Sequence, residues 1–326
     1  MNAPQPKISV VIPVHNSRET MGKCLESLAQ LDHPSFEVII VDDGSTDDTA
    51  EICESYGRVR VIRVSKGGPS RARNVGIDAA RGELVAFTDG DCLVDRLWLT
   101  ELEKGFTLPE VAGVGGDQQS PEDESDFGRM IQDFFKTIGF VTGYIKTHAD
   151  AIETEHNPSC NSMYRKSVLK ETGGFAENLW PGEDVELDLR ITRAGYRLLY
   201  NPAAIVRHYR PQSYRAFASM MHRYGACQWP LVRKYGPFRM LHYEPITLLV
   251  GLVLIAWLIL RDPKLLPLIF LPLPVIFLAF LLMTGRPIKA MRFTRLLVIT
   301  LEHWNRGFLA AAWKGATGPR DDSSDA

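Results

Sequence analysis

Short apolar runs alternate with stretches of helical periodicity over the first hundred residues. The runs lie at 8–13, 36–41, 59–64 and 84–88. Each is rich in β-branched or aromatic side chains and is bounded by turn residues, which predicts a buried strand. Between them, residues 18–30 place Met21, Leu25 and Leu28 on one helical face. Residues 46–56 predict a second helix, with Ser45 or Thr46 as N-cap and Asp47 and Asp48 in its first turn. A third helix covers 70–80 and closes before Gly82, and a fourth covers 97–106. This βαβαβαβ order predicts a mostly parallel, Rossmann-like α/β sheet with right-handed crossovers. After Val111 the pattern weakens. Residues 118–125 are polar and loop-like, 127–145 predict a helix apolar on one side, and 196–206 predict an extended segment broken at Asn201-Pro202.

The last third has a different pattern. Residues 207–239 contain Arg207, Arg210, Arg215, Arg223, Arg233, Lys234 and Arg239 and no Asp or Glu, with Tyr209, Tyr214, Phe217, Tyr224 and Trp229 among the aromatics interleaved with them. Such a segment suits a clamp for a lipid-linked diphosphate, or the surface of an anionic membrane at about 1 kcal/mol per charge. Two apolar stretches follow, at 243–260 and 265–283, separated by Arg261-Asp262-Pro263-Lys264. So short a turn predicts an antiparallel transmembrane hairpin. Arg286, Lys289, Arg292 and Arg295 then mark the cytoplasmic side. Residues 288–313, interrupted by Glu302, His303, Asn305 and Arg306, predict an interfacial helix. The expected division is a soluble domain over 1–235, a membrane-associated region over 236–320 and a disordered acidic tail over 321–326.

Composition narrows the classes. The net charge is only −2 over 326 residues, so no global field favours nucleic acid. Cys24, Cys53, Cys92, Cys160 and Cys227 are odd in number, widely spaced and without a CxxC pair, which reads as reduced core residues. The polar start and short first apolar run predict no cleavable signal peptide. The chemistry concentrates where predicted strands end. The second run empties into Asp42-Asp43-Gly44 and the fourth into Asp89-Gly90-Asp91. Ligands of open α/β sheets bind at the carboxyl ends of strands. Carboxylates there suit Mg²⁺ or Mn²⁺ shared with a substrate's phosphates.

Six segments carry a resemblance: 8–16 (ISVVIPVHN), 41–49 (VDDGSTDDT), 71–82 (RARNVGIDAARG), 86–91 (AFTDGD), 157–165 (NPSCNSMYR) and 182–190 (GEDVELDLR). In this order and spacing they resemble glycosyltransferase family 2, inverting enzymes of the GT-A fold, with an apolar tail similar to that of membrane-anchored members. The resemblance implies a sugar moved from a nucleotide-diphosphate donor, UDP-linked by preference, to a glycan or lipid-linked acceptor. Surface-glycan or lipid-linked sugar synthesis at the inner face of the cytoplasmic membrane is the expected setting.

By the same resemblance, Pro13, Val14 and His15 form the base pocket. Asp43 accepts from the base imide, and Arg71 and Asn74 lie near base and phosphates. Asp91 binds the metal, and Asp89 the ribose or the metal. Asp184 is the general base with Glu183 as runner-up, and Asn157, Asn161 and Ser162 line the acceptor or sugar pocket. Each has a plainer reading: a loop histidine for His15, an Asx turn for Asp43, a solvated helix-end charge for Arg71, loop caps for the Asn and Ser residues. Gln212 and Arg215 keep the spacing of the QxxRW motif of processive synthases, but Ala216 replaces its Trp, which argues against a channel-forming synthase. Two rival classes are a nucleotidyltransferase, whose early Gly-rich loop is lacking at Pro13-Val14-His15-Asn16, and a non-catalytic membrane-anchored binding module.

Overall fold

The computed structural model describes residues 6–139 and 151–317. The end of the predicted helix 127–145 and the acidic tail lie outside the described residues. The chain divides into two compact units, Met1–Arg210 and Pro211–Ala326.

The first unit alternates as its pattern predicts. In order come β1 (Ile8–Val14), α1 (Arg18–Ala29), β2 (Phe36–Asp43), α2 (Thr49–Ser55), β3 (Val59–Val64), α3 (Pro69–Ala79), β4 (Leu84–Phe87), β5 (Cys92–Val94) and α4 (Trp98–Lys104). Then follow β6 (Val111–Gln119), α5 (Asp126–Ile138), β7 (Ile152–Thr154), β8 (Ser162–Arg165), α6 (Lys166–Glu171), α7 (Glu183–Arg193) and β9 (Arg197–His208). The strands form one sheet in the order β3-β2-β1-β4-β8-β6-β9-β5, with β7 beside β9. Its first half, β3 to β4, is parallel. β8 enters antiparallel between β4 and β6, and β5 and β7 are antiparallel to β9.

Side-chain alternation along β1 divides the core. Val10 and Ile12 pack with Met21, Leu25, Trp98 and Leu102 on one face of the sheet. Val11 packs with Ile77, Phe87, Tyr164, Leu187 and Ile191 on the other. Each such buried side chain contributes about 1.5–3 kcal/mol.

β6 falls where the sequence pattern weakens. Its glycines remove the strand signature, yet the packing requires one of them: a Cβ on Gly115 would lie 2.2 Å from Asn157 Oδ1. β9 runs through the predicted break at Asn201-Pro202. The break survives as a register shift, with Gly116 opposite Asn201 and Asp117 opposite Ile205.

The second unit is helical: α8 (Tyr214–Ala226), α9 (Gln228–Tyr235), α10 (Glu244–Arg261), α11 (Pro272–Thr284) and α12 (Pro287–Thr317). α8 and α9, expected in the soluble domain, pack with α12. The predicted stretch 265–283 is not one continuous α-helix. A 3₁₀ segment, Pro263–Phe270, precedes α11, because Pro267, Pro272 and Pro274 lack the N–H groups a continuous ladder needs.

Met240–Arg261 and Pro263–Thr284 are long and apolar enough to cross a membrane, and only 6 % of each apolar window is buried. They are therefore not core helices. α12 turns a stripe of Ala290, Phe293, Leu296, Thr300, Trp304 and Phe308 inward. It meets α8 where Gly225 faces the Trp304 carbonyl and Gly307 the His222 carbonyl. One apolar stripe of this helix is thus covered by protein, while Ile288, Met291, Leu309 and Trp313 stay exposed on it. The basic segment is also not one surface. Arg210 is buried and donates to Gln118 and Gln132, while its main-chain N–H donates to Glu124.

Candidate active site

The carboxyl ends of β1 and β4 open into a cleft of about 480 Å³. Pro13 and His15 line it from the β1 side and Asp89, Gly90 and Asp91 from the β4–β5 loop, and Arg73 and Trp180 also line it. Trp180 is 54 % exposed although large and aromatic.

Arg73 organises the floor. Its side chain is 3 % exposed, with Nη2 2.8 Å from Asp89 Oδ1 and Nη1 2.8 Å from Glu183 Oε1. One buried guanidinium thus joins the acidic loop after β4 to the start of α7. Burial and the neighbouring Asp184 charge push Glu183 up to about 7, against the pull of Arg73. Arg73 lies between the two predicted residues of its helix and was missed. The signal was its place on the buried stripe of α3 with Ala72, Gly76 and Ile77, where a charge needs carboxylate partners.

Asp91 faces the cleft with its side chain 47 % exposed, and its Oδ1 is 3.4 Å from His208 Nε2. Burial acts to raise the Asp91 carboxyl, but the charge of His208 and its hydrogen bond bring it below the usual range. Burial acts to lower His208, but Asp91 brings it up to about 10. A proton therefore sits between donor atoms a cation would use. The carboxylate oxygen fits Mn²⁺ or Mg²⁺, and the imidazole nitrogen favours a transition ion such as Mn²⁺ over the oxygen-seeking Mg²⁺. Asp89, the second predicted ligand, is drawn to Arg73 through Oδ1. His208 was also missed; only the antiparallel register of β5 on β9 brings it to Asp91.

Asp184 stands in the first turn of α7, where the helix dipole favours anions. It is half-buried, and its Oδ2 accepts the Ser159 N–H at 3.2 Å. Asp188, one turn on, is fully buried. It accepts from Asn157 N (2.7 Å) and Tyr164 Oη (2.8 Å) and lies 2.9 Å from His156 Nδ1. These bonds fix α7 to the sheet and so fix Asp184.

A profile described as Glycosyl transferase family 2 matches residues 9–173, half of the chain. The chain belongs to glycosyltransferase family 2. It is 30 % identical over 210 residues to the glycosyltransferase AglE of Haloferax volcanii, covering 61 % of this chain and 66 % of the relative. It is 31 % identical over 233 residues to the pre-mycofactocin glycosyltransferase of Mycobacterium tuberculosis, covering 70 % and 48 %. The chain thus spans about half to two thirds of the length of these curated relatives.

Among solved structures it is similar to the mannosyltransferase PcManGT of Pyrobaculum calidifontis in complex with GDP-Man and Mn²⁺. That likeness has a TM-score of 0.62 at 21 % identity over 95 % of this chain and 88 % of that one. It is also similar to S. aureus TarS 1–349 in complex with UDP-GlcNAc, with a TM-score of 0.53 at 17 % identity over 98 % and 95 %. At such identities the likeness shows the fold, which is GT-A.

In this family 2 protein several predicted residues take supporting places. Val14 is buried at the end of β1. His15 Nε2 lies 3.0 Å from Lys66 Nζ. Asp43 accepts the main-chain N–H groups of Gly67 and Gly68, each at 2.7 Å, and so shapes the loop before α3. The Asx turn is made by Asp42 instead, which accepts the Ser45 N–H at 3.0 Å. Arg71 folds back onto Ser65, and Asn74 holds the loop at Phe175 and Glu177. Asn157, Asn161 and Ser162 are fully buried. Asn161 spends its amide on Trp98 Nε1, Asp117 O and Ala204 O, and Asn157 donates to Leu199 O. They brace the site floor from within the sheet.

Proposed function

We propose that the chain is a metal-dependent, inverting glycosyltransferase that moves a sugar from a nucleotide-diphosphate donor to an acceptor hydroxyl or phosphate. The observation that carries this reading is Arg73 bridging Asp89 and Glu183, which joins the metal-side loop and the base-side helix at one buried cation. Asp184 takes the acceptor's proton as general base. The acceptor oxygen bonds the anomeric carbon from the face opposite the diphosphate while the carbon–oxygen bond to phosphate breaks. One displacement of this kind inverts the anomeric centre. Asp91 and His208, with Asp89 beside them, would hold Mn²⁺ or Mg²⁺, which when bound neutralises charge on the leaving diphosphate. Glu183, buried against Arg73, orients rather than abstracts. Trp180 offers the acceptor sugar an exposed aromatic face at the cleft rim.

A uracil base is favoured for the donor, with Asp43 and His15 near it, as the motifs suggest. Anchorage through Met240–Arg261 and Pro263–Thr284 in the cytoplasmic membrane suits a lipid-linked or surface-glycan acceptor. The basic residues flanking these helices support a cytoplasmic position for the catalytic domain.

The test is thermal shift of detergent-solubilised protein with UDP, GDP and TDP and with the matching triphosphates, with and without Mn²⁺. Stabilisation by one diphosphate only with metal is expected in the wild type, with loss in His208→Ala. Stabilisation by none of them, with a normal melt, refutes the enzyme reading in favour of a binding module. Stabilisation by a nucleoside triphosphate alone favours a nucleotidyltransferase.

A further inference from the structure

Cys92 opens β5, Cys160 lies just before β8 and His208 ends β9. The β5–β9 register sets Cys92 opposite His208. One sulfur from each cysteine and one ring nitrogen of His208 lie within 4.8 Å of one another. Cys92 is fully buried and Cys160 is 6 % exposed. Nδ1 of His208 is buried with no hydrogen bond of ordinary geometry, and the Cys160 thiol lies beside the ring. Asp91 Oδ1 lies 3.7 Å from Cys92 Sγ and 3.4 Å from His208 Nε2.

Two thiols, an imidazole and an adjacent carboxylate are the donor set of a tetrahedral zinc centre. Bonds of about 2.0–2.3 Å place donors roughly 3.5–3.8 Å apart around the ion, so closing this cluster needs a contraction of about 1 Å. Sulfur is a poor ligand for Mg²⁺ or Mn²⁺. The thiols therefore add nothing to the donor site but discriminate strongly for a soft ion.

We infer that Cys92, Cys160 and His208, with Asp91 beside them, bind a thiophilic divalent cation of the zinc class, and that this occupation switches the transferase off. Two sulfur–metal bonds and one nitrogen–metal bond form, and the two thiol protons and one imidazolium proton leave to solvent. His208 and Asp91 are then withdrawn from the cation that serves the diphosphate. This second half rests on the donor-site reading given above; the cation site itself does not.

The test uses full-length reduced protein in detergent, with Cd²⁺ as the first probe. A thiolate-to-cadmium charge-transfer band should saturate at a single equivalent in the wild type and in Cys24→Ala. Cys160→Ser, the isosteric change, should lose the band or weaken binding by about tenfold or more. Cys92→Ser should do the same, which guards against one variant misfolding. No band in the wild type, or an equal band in both serine variants, overturns the site.

In the second arm, Zn²⁺ is titrated against Mn²⁺-dependent nucleoside diphosphate binding. Zinc should abolish that binding in the wild type, and Cys160→Ser should need about tenfold more zinc or beyond. Nucleotide binding that persists under saturating zinc overturns the switch. A cadmium band in a wild type that shows no Mn²⁺-dependent nucleotide binding supports the cation site and overturns the switch together with the donor-site reading.

Discussion

Replacing Arg73 by methionine keeps most of the side-chain volume and removes the charge between Asp89 and Glu183. Asp89 is 28 % exposed at its side chain and can turn to water, but Glu183 is 4 % exposed and cannot. Glu183 will respond by keeping its proton, and the cost is worked from its titration. In the wild type it sits at about 7, above its ordinary value of 4.5, through burial first and the Asp184 charge second. A carboxyl raised on folding contributes stability that is fully present below the unfolded value and is lost as pH rises through the folded one. Without Arg73 the folded value rises further. The Arg73→Met deficit is therefore constant below about pH 7 and widens above it by about 1.4 kcal/mol per pH unit. Between pH 5.5 and 8.5 the deficit should grow by about 2 kcal/mol, or roughly 4–8 °C in melting temperature for a domain of this size. The assay is thermal unfolding in detergent with chelator, comparing Arg73→Met with wild type and Arg73→Met/Glu183→Gln with Glu183→Gln. A deficit that does not change with pH, or one whose pH dependence survives Glu183→Gln, refutes the reasoning.

Further outcomes are expected at other sites. Asp184→Asn should lower transfer by about 10²–10⁴-fold while nucleotide-sugar binding by calorimetry survives, and equal loss of both removes it as the base. Gly307→Leu puts a side chain where a Cβ alone would lie 2.0 Å from the His222 carbonyl. It should destabilise the helical unit by about 1–3 kcal/mol, read as earlier melting, and an unchanged melt refutes the close crossing of α8 and α12. A chain ending at Arg210 should be released from membranes and monodisperse. One ending at Tyr235 keeps α8 and α9 without the helix they pack on and should aggregate; sedimentation in the reverse order contradicts the division at Arg210.

Local pattern carried much of the fold. The apolar runs of β1 to β4 and the helices between them are contiguous and periodic, so each can be read without knowing its neighbours. The acidic loop after β4 was legible because like charges gathered at a strand end cost stability; the Glu183-Asp184 pair was legible only through the family motif, since acidic residues suit a helix start in any case. What was not legible depends on contacts between distant segments. β6 looks like loop because its glycines make room for Tyr164 and Asn157 rather than for its own side chains. Reading Arg71 and Asn74 by motif overlooked Arg73, although its position on the buried face of α3 marked it. His208 has no local signal as a partner of Asp91. Cys92 and Cys160 lack CxxC spacing, and only the sheet brings them together. The basic segment 207–239 looked uniform, yet Arg210 is buried as a structural residue because Glu124, Gln118 and Gln132 fold over it.

The strand order has a mechanical consequence. From β4 to β5 the sheet passes through β8, β6 and β9, a lateral distance of about 19 Å if it were flat. The chain makes the same passage from Phe87 to Cys92, within a reach of about 18 Å even when fully extended. It is not extended, since the Cys92 N–H donates to Asp89 O at 3.1 Å in a tight turn. The sheet must therefore curl until its far edge returns to β4, and the Asp89–Asp91 turn is the clasp. A cation held by Asp91 and His208 fastens that clasp from both sides. Loading it should slow amide hydrogen exchange along β5 and the end of β9 while β2 and β3 exchange as before, so that a bound ion would also set the stiffness of this edge.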